Sequence, residues 1–195
     1  MGVYSLTKST INNWTKYSSM MAGSVYVPPP GDYELISTQL ISTATATVTF
    51  SSIPSTYKHL QLRITHRQNS GTSINYLNMR FNGDTTANQA THWLTGDQVS
   101  VLSSNRLSSN YVAVGKSPYT ANQYGTAIVD ILDYTNTTKN KTVRSLSGSN
   151  DSANNPDVTL FSGLWPSTAA ITSILFNPGN SFAAGSRLSL YGLKG

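Results

Sequence analysis

The residues from Ile41 to Phe50 alternate almost without fault. From Thr43 every odd position is Thr, and from Ala44 every even position is apolar, ending in Val48 and Phe50. Strict alternation sends one residue type to each face of an extended strand. Thr is β-branched and tolerates water, so the run predicts an antiparallel strand with one wet face. The same reading applies from Tyr33 onward. Tyr33–Ser37, Ala44–Phe50 and His59–Arg67 read as strands, with Leu60, Leu62 and Ile64 facing in and Gln61, Arg63 and Thr65 facing out. Tyr76–Phe81 points Leu77, Met79 and Phe81 inward, and Asn82-Gly83-Asp84 signals a turn. Weaker strands fall at His92–Leu94 and Val99–Leu102. Tyr111–Val114, Ala127–Tyr134, Lys141–Leu146, Val158–Leu164, Ile171–Phe176 and Arg187–Leu193 follow. The segment from Asp133 to Lys141 reads as a hairpin with a polar tip.

About ten short strands with Ser-, Gly-, Asn- and Pro-rich turns predict an all-β, antiparallel β-sandwich of jelly-roll-like type. No amphipathic helix longer than about ten residues is expected after residue 31, and no internal repeat is visible.

Residues 1–31 differ. They carry Val3, Tyr4, Leu6, Ile11, Trp14, Tyr17, Met20 and Met21 among Ser, Thr and Asn, and end in Val27-Pro28-Pro29-Pro30-Gly31. Three prolines make a stiff spacer and the glycine lets the chain turn. The expectation is an N-terminal arm and hinge over 1–31 and a β-sandwich domain over 32–195. Residues 5–22 read either as a short helix capped by Ser9 or Thr10 or as an extended stretch. Exposed Trp, Tyr and Met suit docking on a neighbour, and packing on the arm's own domain is the alternative.

Composition narrows the function. Charged residues are 11% of the 195, against about 25% in average soluble chains. Solubility therefore rests on hydroxyls and amides. Hydrophobic residues at 38% and aromatics at 10% suffice for a core. The net charge is +5, with a pI near 9.5. The basic residues stand singly, the closest groups being Lys139/Lys141/Arg144 and Arg63/Arg67. A nucleic-acid binder would cluster them, so no direct nucleic-acid contact is expected. A mild attraction to an anionic shell or glycan is the sharper reading. The absence of Cys removes disulfide and thiolate chemistry. No signal peptide, myristoylation motif or membrane-spanning run is expected. Four Asn-x-Ser/Thr sequons, at Asn13, Asn136, Asn140 and Asn150, are what chance gives in so Asn-rich a chain.

The search for chemistry yields little. His59, His66 and His92 are the only histidines. His59 and His66 lie seven apart on one predicted strand, facing opposite sides, with His66 expected at the rim; no metal site is expected. Asp130 and Asp133, three apart on one predicted strand, are expected on opposite faces, and Asn150–Asp157 reads as a side-chain-bonded loop rather than a Ca²⁺ site. Glu34 and Asp32 flank the hinge, an implausible cleft for paired carboxylates. Gly-x-Ser-x-Gly and Walker loops are absent. No enzyme activity and no cofactor is expected. For glycan contact the candidates are Trp93, Trp165, Tyr111, Tyr119, Tyr124 and Tyr134, with Tyr119 and Tyr124 loop-borne and the best placed, and the tryptophans better suited to core or edge packing.

Three stretches carry a resemblance: Tyr33–Ser37 leading into Val48-Thr49-Phe50-Ser51-Ser52-Ile53-Pro54, Met79-Arg80-Phe81-Asn82-Gly83-Asp84, and Gly185-Ser186-Arg187-Leu188-Ser189-Leu190-Tyr191-Gly192-Leu193. In order and spacing, residues 32–195 resemble small β-sandwich structural proteins of tailed-bacteriophage virions. These motifs are strand ends and a turn read as a hairpin, so the resemblance transfers no site residue. It implies a virion location and a non-enzymatic role as capsid decoration or cement protein, or as a neck or tail accessory. The partners would be other virion proteins, reached through the arm residues named above and by β-augmentation at edge strands. It also implies a homo-oligomer, with a trimer as one form. The alternative is a receptor- or glycan-binding module of a tail fibre or tail tip.

Overall fold

Large apolar side chains at every second position give each sheet one face that must leave water. The computed structural model describes residues 32–150 and 156–194. Among them there is no helix. Twelve strands form: β1 (Tyr33–Leu40), β2 (Val48–Phe50), β3 (His59–His66), β4 (Asn75–Phe81), β5 (Gln89–Gly96), β6 (Val101–Ser109), β7 (Val112–Ser117), β8 (Gly125–Ile131), β9 (Lys141–Ser149), β10 (Asp157–Trp165), β11 (Ile174–Asn177) and β12 (Arg187–Leu193). Eight of them make one sheet in the order β1-β12-β3-β8-β9-β10-β5-β6, and four make a second in the order β2-β11-β4-β7. Every neighbouring pair is antiparallel. Residues of both sheets enter one core, so the unit is all-β and sandwich-like.

The inward residues expected on β3 and β4 are there. Leu60, Leu62, Ile64, Leu77, Met79 and Phe81 are all buried, each gaining about 1.5–3 kcal/mol from leaving water. β11 closes the small sheet with Ile174 and Phe176, the latter edge-on to Phe50.

The alternating run is shorter than expected. Only Val48–Phe50 form a strand, and Ala44 and Ala46 are exposed. Alanine buries too little area to hold a strand against the core. The backbone there is held instead by a single bridge, with Thr45 and Phe182 exchanging N–H···O bonds of 3.2 and 2.7 Å. Two further expectations are corrected at turns. Asn82 and Gly83 both take positive φ (49° and 67°), and the Asp84 N–H donates to the Phe81 carbonyl at 2.8 Å. This is the geometry of a hairpin turn. Yet it joins no hairpin: the chain leaves β4 in the small sheet and enters β5 in the large one. The Asn82 side chain diverts it, with Oδ1 accepting from the N–H groups of Thr172 (2.8 Å) and Ser173 (3.1 Å) and Nδ2 donating to the Ala170 carbonyl (2.8 Å). β8 ends at Ile131, not Tyr134. Asp133 takes φ 49° in the turn that follows, and Tyr134 is buried with its hydroxyl on the Pro54 carbonyl. The polar-tipped hairpin expected from Asp133 to Lys141 is present, linking β8 to β9.

The phase of β9 and β10 departs from the ordinary in-apolar, out-polar rule. On β9, Ser145, Ser147 and Ser149 face inward while Leu146 faces solvent. On β10, Thr159, Phe161, Gly163 and Trp165 face inward while Val158, Leu160 and Leu164 face solvent. Close approach of β7 causes this. A Cβ on Gly163 would sit 2.1 Å from Val112 Cγ1, so only glycine fits against that β-branched side chain. The serines bond to the backbone of β7: Ser145 Oγ donates to the Val114 carbonyl at 2.5 Å, and the Lys116 N–H donates to Ser147 Oγ at 3.3 Å. Thr91 Oγ1 likewise accepts from the Ala113 N–H at 3.0 Å.

Gly163→Ala is therefore expected to destabilise the fold by about 1–3 kcal/mol through overpacking. Adding Val112→Ala should recover part of that loss. Denaturant melts of the two single variants and the double variant test this, and additive losses would refute the steric account.

Candidate functional site

The large sheet has a second face, turned away from the core. The strand register puts its side chains in rows that run across the strands. One row is apolar at its centre: Ile128 on β8 pairs with Leu146 on β9, Leu146 with Leu160 on β10, and Leu160 with Leu94 on β5. These four side chains are 47%, 54%, 46% and 48% exposed. Among the described residues no layer covers this face. The next row is polar, reading Gln61, Asp130, Arg144, Ser162, His92 and Asn105 across six strands.

The charges of this face are largely paired with one another. Asp130 accepts from Gln61 Nε2 at 3.0 Å and lies 3.6 Å from Arg144. Arg63 donates to Gln61 Oε1 at 3.2 Å and stacks near the rings of Tyr191 (5.2 Å) and Tyr33 (5.8 Å). Below the polar row, Lys139 bonds Asp133 at 2.6 Å, and that ammonium holds the Asp133 carboxyl below its ordinary range. A hollow of about 430 Å³ lies here, lined by Asp130, Asp133, Lys139, Arg144 and Leu160. Its wall is fixed from beneath by Lys141, which is buried. Lys141 Nζ donates to the carbonyls of Asn136 (2.6 Å), Lys139 (3.1 Å) and Thr168 (3.1 Å), and burial lowers its pKa. Asp130 and Asp133 thus line one hollow, contrary to the expectation that they face apart, because Asp133 lies in the turn beyond β8. A carboxyl held low by an ammonium is a poor proton donor at neutral pH. The arrangement, an apolar stripe beside internally neutralised charges, suits a docking surface.

A second feature is β6, the edge of the large sheet. Most of its residues are exposed on both faces, including Val101, Leu102 and Leu107. An open edge presents unpaired backbone groups to an added strand.

The residues singled out in the sequence fall elsewhere. Val3, Tyr4, Leu6, Ile11, Trp14, Tyr17, Met20 and Met21 lie outside the described residues, as does most of the Asn150–Asp157 loop. Asp157 itself is committed to structure, bonding Lys116 Nζ at 2.5 Å and Ser149 Oγ at 2.8 Å. Trp93 is half-buried among Tyr76 (5.0 Å between ring centroids) and Phe161 (6.3 Å). Tyr119 and Tyr124 are loop-borne as read, and both half-buried. They share Arg67, which donates to the Tyr119 carbonyl at 3.4 Å and lies 5.7 Å from the Tyr124 ring. The Tyr124 hydroxyl donates to the Ala184 carbonyl at 2.6 Å. Sequence reasoning missed the outward Ile128, Leu146, Leu160 and Leu94. A signal was available in Gly163, whose parity with Phe161 and Trp165 places Leu160 and Leu164 on the other face.

His66 corrects an expectation. It is fully buried rather than at the rim, its Nε2 2.9 Å from Ser117 Oγ and its ring edge-on to Phe182. Among the described residues no group of three or more acids and histidines is placed to hold a metal ion. Burial pushes the His66 pKa from 6.5 down to about 3, so the folded chain keeps it neutral. Below pH ~6.5 the unfolded chain takes up a proton that the folded chain refuses. Stability from this group is full above that pH and falls as pH drops toward 3, by at most about 1.4 kcal/mol per unit. His66→Gln should therefore flatten the decline of stability between pH 6.5 and 4. Parallel curves for the two proteins, from denaturant melts at each pH, would refute this.

No family model, no curated protein and no solved structure matches this chain.

Proposed function

We propose that this chain is a non-enzymatic structural component of a tailed-phage virion. It attaches through residues 1–31 and serves as a capsid decoration or cement protein, or as a neck or tail accessory. The observation that carries the docking part of this reading is the open face of the large sheet, with leucines outward and hydroxyls inward. A protein that works by being held among neighbours needs surfaces of this kind, and an open edge such as β6 adds a second means of attachment. The virion location comes from the resemblance of residues 32–195 to small phage sandwich proteins. We read the two sheets as a jelly-roll-like sandwich, since the chain crosses between them at β1–β2, β2–β3, β3–β4, β4–β5, β6–β7, β7–β8, β10–β11 and β11–β12. The partners on this reading are other virion proteins and further copies of the chain. Neither membrane nor nucleic acid is a partner; no helix among the described residues is long and apolar enough to cross a membrane.

A second reading, attachment to a host glycan, draws on one observation: the β7–β8 loop sets the Tyr119 carbonyl and the Tyr124 ring against Arg67. An aromatic face beside a guanidinium can stack a sugar and bond its hydroxyls.

The arm gives the sharper test. Replacing Trp14 and Tyr17 together by Ala should strip the protein from purified particles by at least tenfold, read by mass spectrometry of the particle, while the free protein keeps its melting temperature. Undiminished incorporation would refute attachment through the arm. Loss of host binding on Tyr124→Ala, with incorporation intact, would favour the glycan reading.

A further inference from the structure

The outer face of the large sheet is built against the normal rule, and its pattern is self-complementary. We propose that this face binds a second copy of the same chain, sheet against sheet, in an isologous dimer. The proposal deepens the homo-oligomer part of the reading above and stands apart from its virion part.

The apolar row has four members on four adjacent strands, so its midpoint falls between β9 and β10. Two sheets that face each other are related by a two-fold axis lying between them. Place that axis along the strands at the midpoint. Leu146 then meets Leu160 of the second copy, and Ile128 meets Leu94. The polar row follows without adjustment: Asp130 comes opposite His92 of the second copy, and Gln61 comes opposite Asn105. Carboxylate against imidazole and amide against amide are favourable pairs, and no like charges are brought together along the two rows. The aligned packing of open sheets, with strands crossing at about −30°, tolerates this arrangement.

The axis faces β3, β8, β9, β10, β5 and β6 of one copy with the same six strands of the other, and leaves β12 and β1 beyond the partner's edge. Six strands about 4.8 Å apart, over three side-chain rows about 6.7 Å apart, span on the order of 600 Å². That is the area per partner at the low end of specific interfaces. Small residues beside the leucines, Gly148 and Ser162, line hollows that facing side chains can enter. A trimer does not bring this face onto itself, so the proposal commits to pairs.

The test is sedimentation of the full chain, alone and as the Leu146→Asp/Leu160→Asp variant. The expected result is a dimer for the native protein and a monomer for the variant, with the same circular dichroism and melting temperature. Because the chain has no Cys, Leu146→Cys introduces a single thiol. A short bismaleimide should convert it to a covalent dimer, whereas Val99→Cys, at a position 92% exposed on the β5–β6 connection, should stay uncoupled. A native monomer at high micromolar concentration, a trimer, or a dimer that survives the double variant would each overturn the proposal. So would a Leu146→Cys variant whose thiol is shielded in a monomer, which would mean that residues 1–31 cover the face. Failure here leaves the particle measurement above unaffected, and failure there leaves this one standing.

Discussion

The approach of β7 to the large sheet sets the rest of the structure. Val112 lies so close to β10 that position 163 can carry no Cβ. Gly115, on the same strand, would place a Cβ 3.3 Å from Ser147 Oγ. Once the backbones are this near, the residues between them must be small, and Ser, Thr and Gly are the small residues that β9, β10 and β5 supply there. The phase of those strands follows. With Ser145, Thr159 and Gly163 inside, their neighbours Leu146, Leu160 and Leu164 can only be outside, because side chains alternate with period two.

Burying hydroxyls in this way costs free energy unless each is bonded. The structure meets that demand with β7 itself. As the edge of the small sheet it has backbone groups without a ladder partner, and the inward hydroxyls of the large sheet take them up at Val114, Lys116 and Ala113. Thr95 and Thr159 satisfy each other at 2.9 Å. Two liabilities, an open edge and a polar interior, cancel. The apolar half of the core, from Phe50 through Phe81 to Phe176, needs no such arrangement and reads as an ordinary sandwich interior.

This division explains what the sequence disclosed. Where the core is apolar, alternation alone located strands and faces: Leu60, Leu62, Ile64, Leu77, Met79 and Phe81 all point as their spacing says. Where the core is hydroxyl-lined, a pattern such as Val-Arg-Ser-Leu-Ser-Gly-Ser has two readings of opposite phase, and only contact with a distant strand chooses between them. The Thr/Ala run failed for a related reason: period two is necessary for a strand, but alanine provides too little burial to enforce it. His66 lies inside as a neutral imidazole with Nε2 on Ser117, its ring against Phe182 and Nδ1 without a partner, and nothing in its sequence neighbours announces that Ser117 will be there. The outward face went unseen because Ile128, Leu146, Leu160 and Leu94 lie on four strands separated in sequence, and only the register brings them into one row.

Folding alone does not account for that row. A threonine at each of the four positions would keep β-propensity and solubility, and would forgo only the half of the side-chain burial that an open face provides. In a chain with 11% charged residues, exposed leucines also raise the risk of unspecific association. The charges near the row are few: Asp130 lies against Arg144 and Asp133 against Lys139, while Arg63 rests on the Gln61 amide and two tyrosine rings, so they form no repelling field. A surface that gives up solubility while gaining little for its own fold is one whose return comes from being covered. The pairing of copies proposed above would supply that cover.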